Sequence, residues 1–168
     1  RLDIDEAIYF NIIKKKTASL IAASCGLGTC STIDDDAVIE KVKLLGENIG
    51  ICFQIKDDLF DYGTSNVGKP LGIDIKEKKM TLPLIYALNH APFMVKRSMI
   101  NIIKNKSEDQ KKVKEVIEFV KQSGGLEYAI EKMNEYKAKS FELLQEFPQN
   151  EANEKLKILI DYVVSRDH

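Results

Sequence analysis

The sequence predicts an all-α chain, on three observations. Apolar residues recur at helical spacing through nearly all of it. No stretch keeps the strict alternation of a half-buried strand. Gly and Pro fall in a few places separated by helix-length intervals. The 168 residues suit one domain or a large piece of one, and a hydrophobic fraction of 44% can fill a core. No internal repeat or low-complexity tract interrupts the pattern.

Asp3 or Asp5 is placed to cap a first helix running to about Cys25, with Ile8, Ile12, Ile13, Leu20 and Ala23 at near-helical spacing. The stretch GLGTCST then reads as a break. Thr32 or Asp34 caps a second helix that extends to Asp61 or Tyr62. Pro70 and the glycines around it make 63–72 a loop. A third helix covers 81–89, with Pro83 in its first turn, where a missing N–H is tolerated. Pro92 marks the next boundary, and helices follow over 93–104, 108–122, 125–146 and 150–165. Ser107, Glu108 and Asp109 give the second of these an acidic start. Gly124-Gly125 and Pro148 separate the last three. The Lys and Glu residues of the C-terminal third read as solvated helix faces.

A formal net charge of -1 provides no global field for nucleic acid or an anionic membrane. Cys25, Cys30 and Cys52 are odd in number and lack CxxC spacing, which excludes a disulfide framework and fits a reducing, cytoplasmic setting. The histidines are His90 and His168, so no Cys/His metal pattern exists. Apolar runs such as SLIAASCGLG fall well short of the ~20 residues that span a bilayer, and stable membrane insertion is not expected. The chain opens at Arg1, without Met, on a helix-forming stretch, from which the interior of a longer protein is expected.

The stretch GICFQIKDDLFDYG places three carboxylates within little more than one helical turn. With Asp57 at zero on a helical wheel, Asp61 falls near ~40°, Gln54 near ~60° and Asp58 near ~100°, while Gly50 and Gly46 lie within about 20° of Asp57. One stripe therefore reads Gly46, Gly50, Gln54, Asp57, Asp61, with Asp58 at its edge. Leu44, Ile51, Cys52, Ile55 and Leu59 occupy the other side and can face a core. Acids at a helix C-terminus oppose the helix dipole, which asks for a compensating cation. Two readings fit: solvated surface charge, or ligands for a hard divalent ion that takes carboxylate oxygens and completes its shell with water and phosphate.

Lysines lie nearby in sequence. SNVGKPLGIDIKEKKMTLPLIYAL carries Lys69 and Lys79 on or beside a loop that Gly68 and Gly72 make pliant, and lysine is a compact point charge suited to phosphate. Lys16 adjoins the apolar run of the first helix and can face either solvent or a cavity, whereas Lys14 and Lys15 read as exposed-face charge.

In order, KTA at Lys16–Ala18, GICFQIKDDLFDY and GKPLGIDIKEKKMTLPLIYAL resemble the motifs of the trans-isoprenyl diphosphate synthases, the polyprenyl synthetase family. The second corresponds to that family's second aspartate-rich motif, and the third to its GKPxGxDxxEGKxTLP segment. GGLEYAIEKMNEYKAKSFELL and LIDYVVSR resemble the family's ending. The resemblance covers essentially the whole chain and implies the C-terminal portion of the isoprenoid-synthase-type helical bundle. Lys78 departs from it, standing where the family usually has Gly. The family's first aspartate-rich motif lies upstream and has no counterpart among these residues, so about half of a catalytic domain is expected to lie outside the chain. The chain taken alone is expected to be inactive and to associate with its missing half or with another copy.

The resemblance implies a Mg²⁺-dependent transferase that joins an allylic prenyl diphosphate to isopentenyl diphosphate, giving a longer linear all-trans polyprenyl diphosphate. It implies two or three Mg²⁺ ions held through Asp57, Asp58 and Asp61, with Asp57 the first choice as direct ligand. Lys16, Lys69 and Lys79 would contact the substrate diphosphate, helped by Thr17. Gln54 would orient groups beside the reacting carbon or hold a ligand, and Asp74 would support from behind. Lys16, Gln54, Asp57 and Asp58 are thus the implied catalytic set. The implied assembly is a homodimer of the complete protein, without nucleic acid. Two alternatives stand beside this: a non-catalytic helical partner subunit of a prenyl diphosphate synthase, and a terpene cyclase of the same fold.

Overall fold

A computed structural model describes residues 5–63 and 71–167. Every regular element among them is helical: α1 (Glu6–Ile13), a π-helical turn (Lys14–Ala18), α2 (Ser19–Cys30), α3 (Asp36–Phe60), α4 (Ile73–Lys76), α5 (Leu82–His90), α6 (Phe93–Asn105), α7 (Gln110–Gln122), α8 (Gly125–Gln145) and α9 (Glu151–Ser165). The fold is all-α, as the periodicity predicts. No helix among the described residues is long and apolar enough to cross a membrane.

The chain forms two compact units, one from residues 5–9, 57–63, 71–131 and 167, the other from 10–56 and 132–166. In the first, Leu59, Ile75, Leu82, Leu84, Ile85, Ile103, Val116 and Val120 are fully or almost fully buried. The hydroxyls of Tyr62 and Thr81 share a 2.6 Å hydrogen bond, so the buried phenol keeps a polar partner. Tyr86 stacks on Tyr128 at 4.3 Å, and Tyr128 in turn donates to the Glu6 carboxylate at 2.8 Å. Gly72 begins α4 at φ +76°, a left-handed conformation that costs a Cβ-bearing residue roughly 1–2 kcal/mol.

In the second unit α3 lies close against α2 and the π turn. A Cβ at Gly46 would sit 2.9 Å from the Ala22 Cα, and one at Gly50 would sit 2.5 Å from the Ala18 Cα. These glycines are therefore sites of tight helix contact. The Cys52 thiol donates to the Met133 carbonyl at 3.4 Å, and burial pushes its pKa up to about 12. Asn150 caps α9 by accepting from the Asn153 N–H, while the Asn153 side-chain amide donates to the Leu144 carbonyl at 2.8 Å. The Arg166 guanidinium lies 4.1 Å over the Phe53 ring and donates to the Phe53 carbonyl.

Several boundaries differ from expectation. Asp5 caps α1, accepting from the Ile8 N–H at 2.8 Å, and the alternative Asp3 lies outside the described residues. The helical path does not stop near Cys25 but continues through Gly26 and Gly28 to Cys30. Gly26 accepts the Lys43 side chain, whose Cγ would lie 2.6 Å from an added Cβ, so helix contact overrides the glycine's local preference. The cap of α3 is Asp35, which accepts from the N–H groups of Ala37 and Val38, in place of Thr32 or Asp34. Leu44, expected on the core side, is 47% exposed. The one-turn helix α4 was not expected. The remaining helices start and stop within two residues of expectation, with Pro83 in the first turn of α5 and Asp109 capping α7.

Candidate functional site

The last turns of α3 carry Gln54, Asp57 and Asp58, and Asp61 follows in the turn that ends the helix. Ile51, Cys52, Ile55 and Leu59 are buried, so that side faces the core as the wheel requires. The three carboxylates occupy different surroundings. Asp57 is half-buried, whereas Asp58 and Asp61 are only 6% and 8% exposed. A buried carboxylate needs hydrogen-bond partners, and both have them.

Asp58 accepts from the Tyr9 hydroxyl, which reaches its Oδ2 at 2.7 Å. Burial raises the Tyr9 pKa well above the usual phenol value, and the Asp58 charge and hydrogen bond raise it further. The phenol therefore stays protonated and donating. Asp61 accepts from the Asp74 N–H at 3.2 Å through its Oδ2, and the neighbouring amides of Ile73 and Ile75 also favour its ionised form. Burial and then the Asp74 charge outweigh these amides, so its pKa is raised. The carboxylate that ends α3 thus anchors the start of α4.

α4 closes with two backbone bonds, from the Lys78 N–H to the Ile75 carbonyl and from the Lys79 N–H to the Asp74 carbonyl. This is the Schellman arrangement, whose C′ residue is usually a left-handed glycine. Lys78 occupies that position at φ +57°, a conformation that suits the Gly the resemblance implies there. The Lys78 ammonium donates to the Lys104 carbonyl at 2.9 Å. The turn projects Lys79, whose ammonium lies 2.6 Å from Glu77 and 3.0 Å from Asp74. Those hydrogen bonds, Glu77 first, raise its pKa and keep it cationic.

Thr17 and Gln54 are brought together: the Thr17 hydroxyl donates to the Gln54 Oε1 at 3.1 Å. Thr17 lies within the π-helical turn, a feature often found at functional positions. Lys16, in the same turn, is exposed in this chain. Lys14 is not simple surface charge, because it pairs with Glu47 at 2.9 Å. Lys69 lies outside the described residues. Sequence reasoning missed Tyr9, for which no motif signals. Asp74, expected in a supporting role, links Asp61 to Lys79 through its N–H and its carboxylate.

Among the described residues, no three carboxylate, imidazole or thiol groups converge on the space of one ion. The described residues offer no ready cage for a lone cation. Its donors are carboxylate oxygens, two of them already oriented by hydrogen bonds, with cationic Lys79 beside them. That set fits a hard divalent ion such as Mg²⁺, which binds one or two carboxylates and takes its remaining ligands from water and phosphate.

A family model described as Polyprenyl synthetase matches residues 1–120, a span that contains every residue named above for the site. A short chain isoprenyl diphosphate synthase from Methanothermobacter thermautotrophicus is 36% identical over 170 residues, covering 100% of this chain and 52% of that protein. The heptaprenyl diphosphate synthase component 2 of Geobacillus stearothermophilus is 33% identical, with the same coverage. Among solved structures, the geranylgeranyl pyrophosphate synthase of Bacteroides thetaiotaomicron is 40% identical and superposes at a TM-score of 0.90, over 99% of this chain and 55% of its own. A Caulobacter crescentus polyprenyl synthase, complexed with calcium and isoprenyl diphosphate, is 32% identical at a TM-score of 0.91, over 100% of this chain and 52% of its own. The chain spans about half the length of the curated relatives it matches.

Proposed function

Because the chain belongs to the polyprenyl synthetase family, we propose that the complete protein is a Mg²⁺-dependent trans-prenyltransferase. It condenses an allylic prenyl diphosphate with isopentenyl diphosphate to a longer linear all-trans polyprenyl diphosphate. The observation that carries this reading is the pair of buried, hydrogen-bonded carboxylates, Asp58 and Asp61, beside half-buried Asp57.

In this reading Asp57, Asp58 and Asp61 hold Mg²⁺. Two or three ions, when bound, neutralise the charge of the departing pyrophosphate as Lewis acids. Lys16, Lys69 and Lys79 add fixed positive charge on the substrate diphosphate, where negative charge develops as the allylic C–O bond breaks. Lys79 does so by exchanging Asp74 or Glu77 for a phosphate oxygen. The Gln54 amide, held by Thr17, presents a fixed dipole to the allylic cation. No side-chain nucleophile takes part. The residues present here need those contributed by the rest of a synthase of the relatives' length, so residues 1–168 alone are inactive. The complete protein works as a cytoplasmic homodimer.

Radiolabelled isopentenyl diphosphate supplied with an allylic diphosphate and Mg²⁺ tests the proposal. Extended prenyl diphosphate in the organic extract supports it, and failure to extend any allylic primer contradicts it. Two relatives bear the name component 2 of heptaprenyl diphosphate synthase, which favours a second reading in which the chain serves in a two-component synthase. Activity of the purified complete protein without a second polypeptide separates the two.

A further inference from the structure

Tyr9 stands apart from the motifs. Nothing in the acid-rich stretch or the lysine loop points to it, and it lies 49 residues before the group it touches. It is 4% exposed, in a helix that also presents Ile8 and Ile12 to solvent at 37% and 43%. A phenol in such a place needs a hydrogen-bond partner. This fold provides an oxygen of Asp58, at 2.7 Å.

Two features make this contact more than packing. The acceptor is a carboxylate only 6% exposed, so protein donors such as this hydroxyl, and not bulk water, orient it. The bond is also well formed, at the usual O–H···O distance. Asp61 is treated alike, held by amides at the start of α4. The fold therefore fixes both buried carboxylates from behind, with a phenol at one and backbone at the other. Mutation can remove only the phenol cleanly.

We infer that Tyr9 is a positioning residue for Asp58, fixing the orientation in which that carboxylate meets a Mg²⁺–diphosphate complex. The inference rests on the function proposed above. Tyr9 itself touches neither metal nor substrate. Hydrogen-bond partners behind metal ligands set ligand orientation, and losing one weakens metal affinity by about 10–100-fold.

The test is calorimetric titration of Mg²⁺ into the complete protein in the presence of inorganic pyrophosphate, on the wild type, Tyr9→Phe, Asp58→Asn and the double variant. Phe keeps the ring and removes only the donor. The expected result is ~10-fold or greater weakening in Tyr9→Phe, no further weakening when Tyr9→Phe is added to Asp58→Asn, and recovery when position 9 carries p-aminophenylalanine, whose N–H restores a donor. Steady-state kinetics should show a raised Mg²⁺ requirement with the KM for isopentenyl diphosphate unchanged. If Tyr9→Phe lowers the melting temperature but binds Mg²⁺–pyrophosphate as the wild type does, Tyr9 is structural and the inference fails alone. An equal loss in the Asp58→Asn background also overturns it, since Tyr9 would then act elsewhere. If the wild type binds no Mg²⁺–pyrophosphate, the proposed function falls and the inference falls with it.

Discussion

Around Gly46 and Gly50, α3 approaches its neighbours so closely that one added carbon would meet main chain at 2.9 and 2.5 Å. Around Asp58 and Asp61, the same helix is secured by a phenol and by backbone amides. The first region is specified by shape: any atom larger than hydrogen is excluded, and no polar group is required. The second is specified by charge: buried carboxylates are tolerated only because donors meet them. A substitution that is harmless in one region is therefore damaging in the other. The proposed function draws on the second, where acids stand at the wrong end of a helix dipole.

The largest expected effect is catalytic. Asp57→Ala in the complete protein should lower turnover by roughly 10²–10³-fold, the size seen when one electrostatic stabiliser is removed. Near-normal kcat would show that the acid-rich end of α3 is surface charge. Next comes the shape region. Gly50→Ala should destabilise by about 1–3 kcal/mol in urea unfolding, because overpacking against the Ala18 backbone outweighs the helix propensity gained. Gly28, exposed in α2 with no atom within 4 Å of a built Cβ, is the control: Gly28→Ala should stabilise by ~0.5–1 kcal/mol. If the two glycines respond alike, the shape argument is wrong.

The helices were legible because their apolar period is long and repeated, and α5 to α9 begin and end near their Pro, Gly and capping residues. Reading GLGTC as a break failed because the close approach of Lys43 at Gly26 is a tertiary fact that no local pattern carries. α4 escaped because it is a single turn, too short to show a period, held by Asp61 and Gly72 at its start and by a Schellman turn at its end. In the site, the spacing of Gln54, Asp57, Asp58 and Asp61 and the position of Lys79 could be read directly. Tyr9 could not, because its partner is distant in sequence and a tyrosine on an apolar helix face reads as core. Lys78 was visible as a departure from the family, but its meaning, a left-handed residue at C′, needed the backbone.

Two smaller effects sharpen the comparison. Burial raises the Cys52 thiol pKa from 9.0 to about 12, so between those values the unfolded chain ionises while the folded one does not. Its contribution is intact below pH 9 and is lost as pH rises toward about 12. Unfolding midpoints of the wild type should therefore fall more steeply over that window than those of Cys52→Ala, and a thiol reagent at pH 8 should modify exposed Cys30 well before Cys52. Parallel pH profiles would contradict this. Smallest of all, Lys78→Gly should relieve the left-handed strain and stabilise by about 0.5 kcal/mol, the strain released being offset in part by glycine's extra freedom when unfolded. Destabilisation would mean that the bond to the Lys104 carbonyl matters more than the turn.

The most direct test of the central claim is an anomalous-scattering map from crystals of the complete protein grown with Mn²⁺ and pyrophosphate, Mn²⁺ standing in for Mg²⁺. The account predicts a metal peak within coordination distance of Asp57 and of at least one pyrophosphate oxygen, absent from crystals of Asp57→Ala. Pyrophosphate bound elsewhere, or a peak that ignores the Asp57, Asp58 and Asp61 carboxylates, would contradict it.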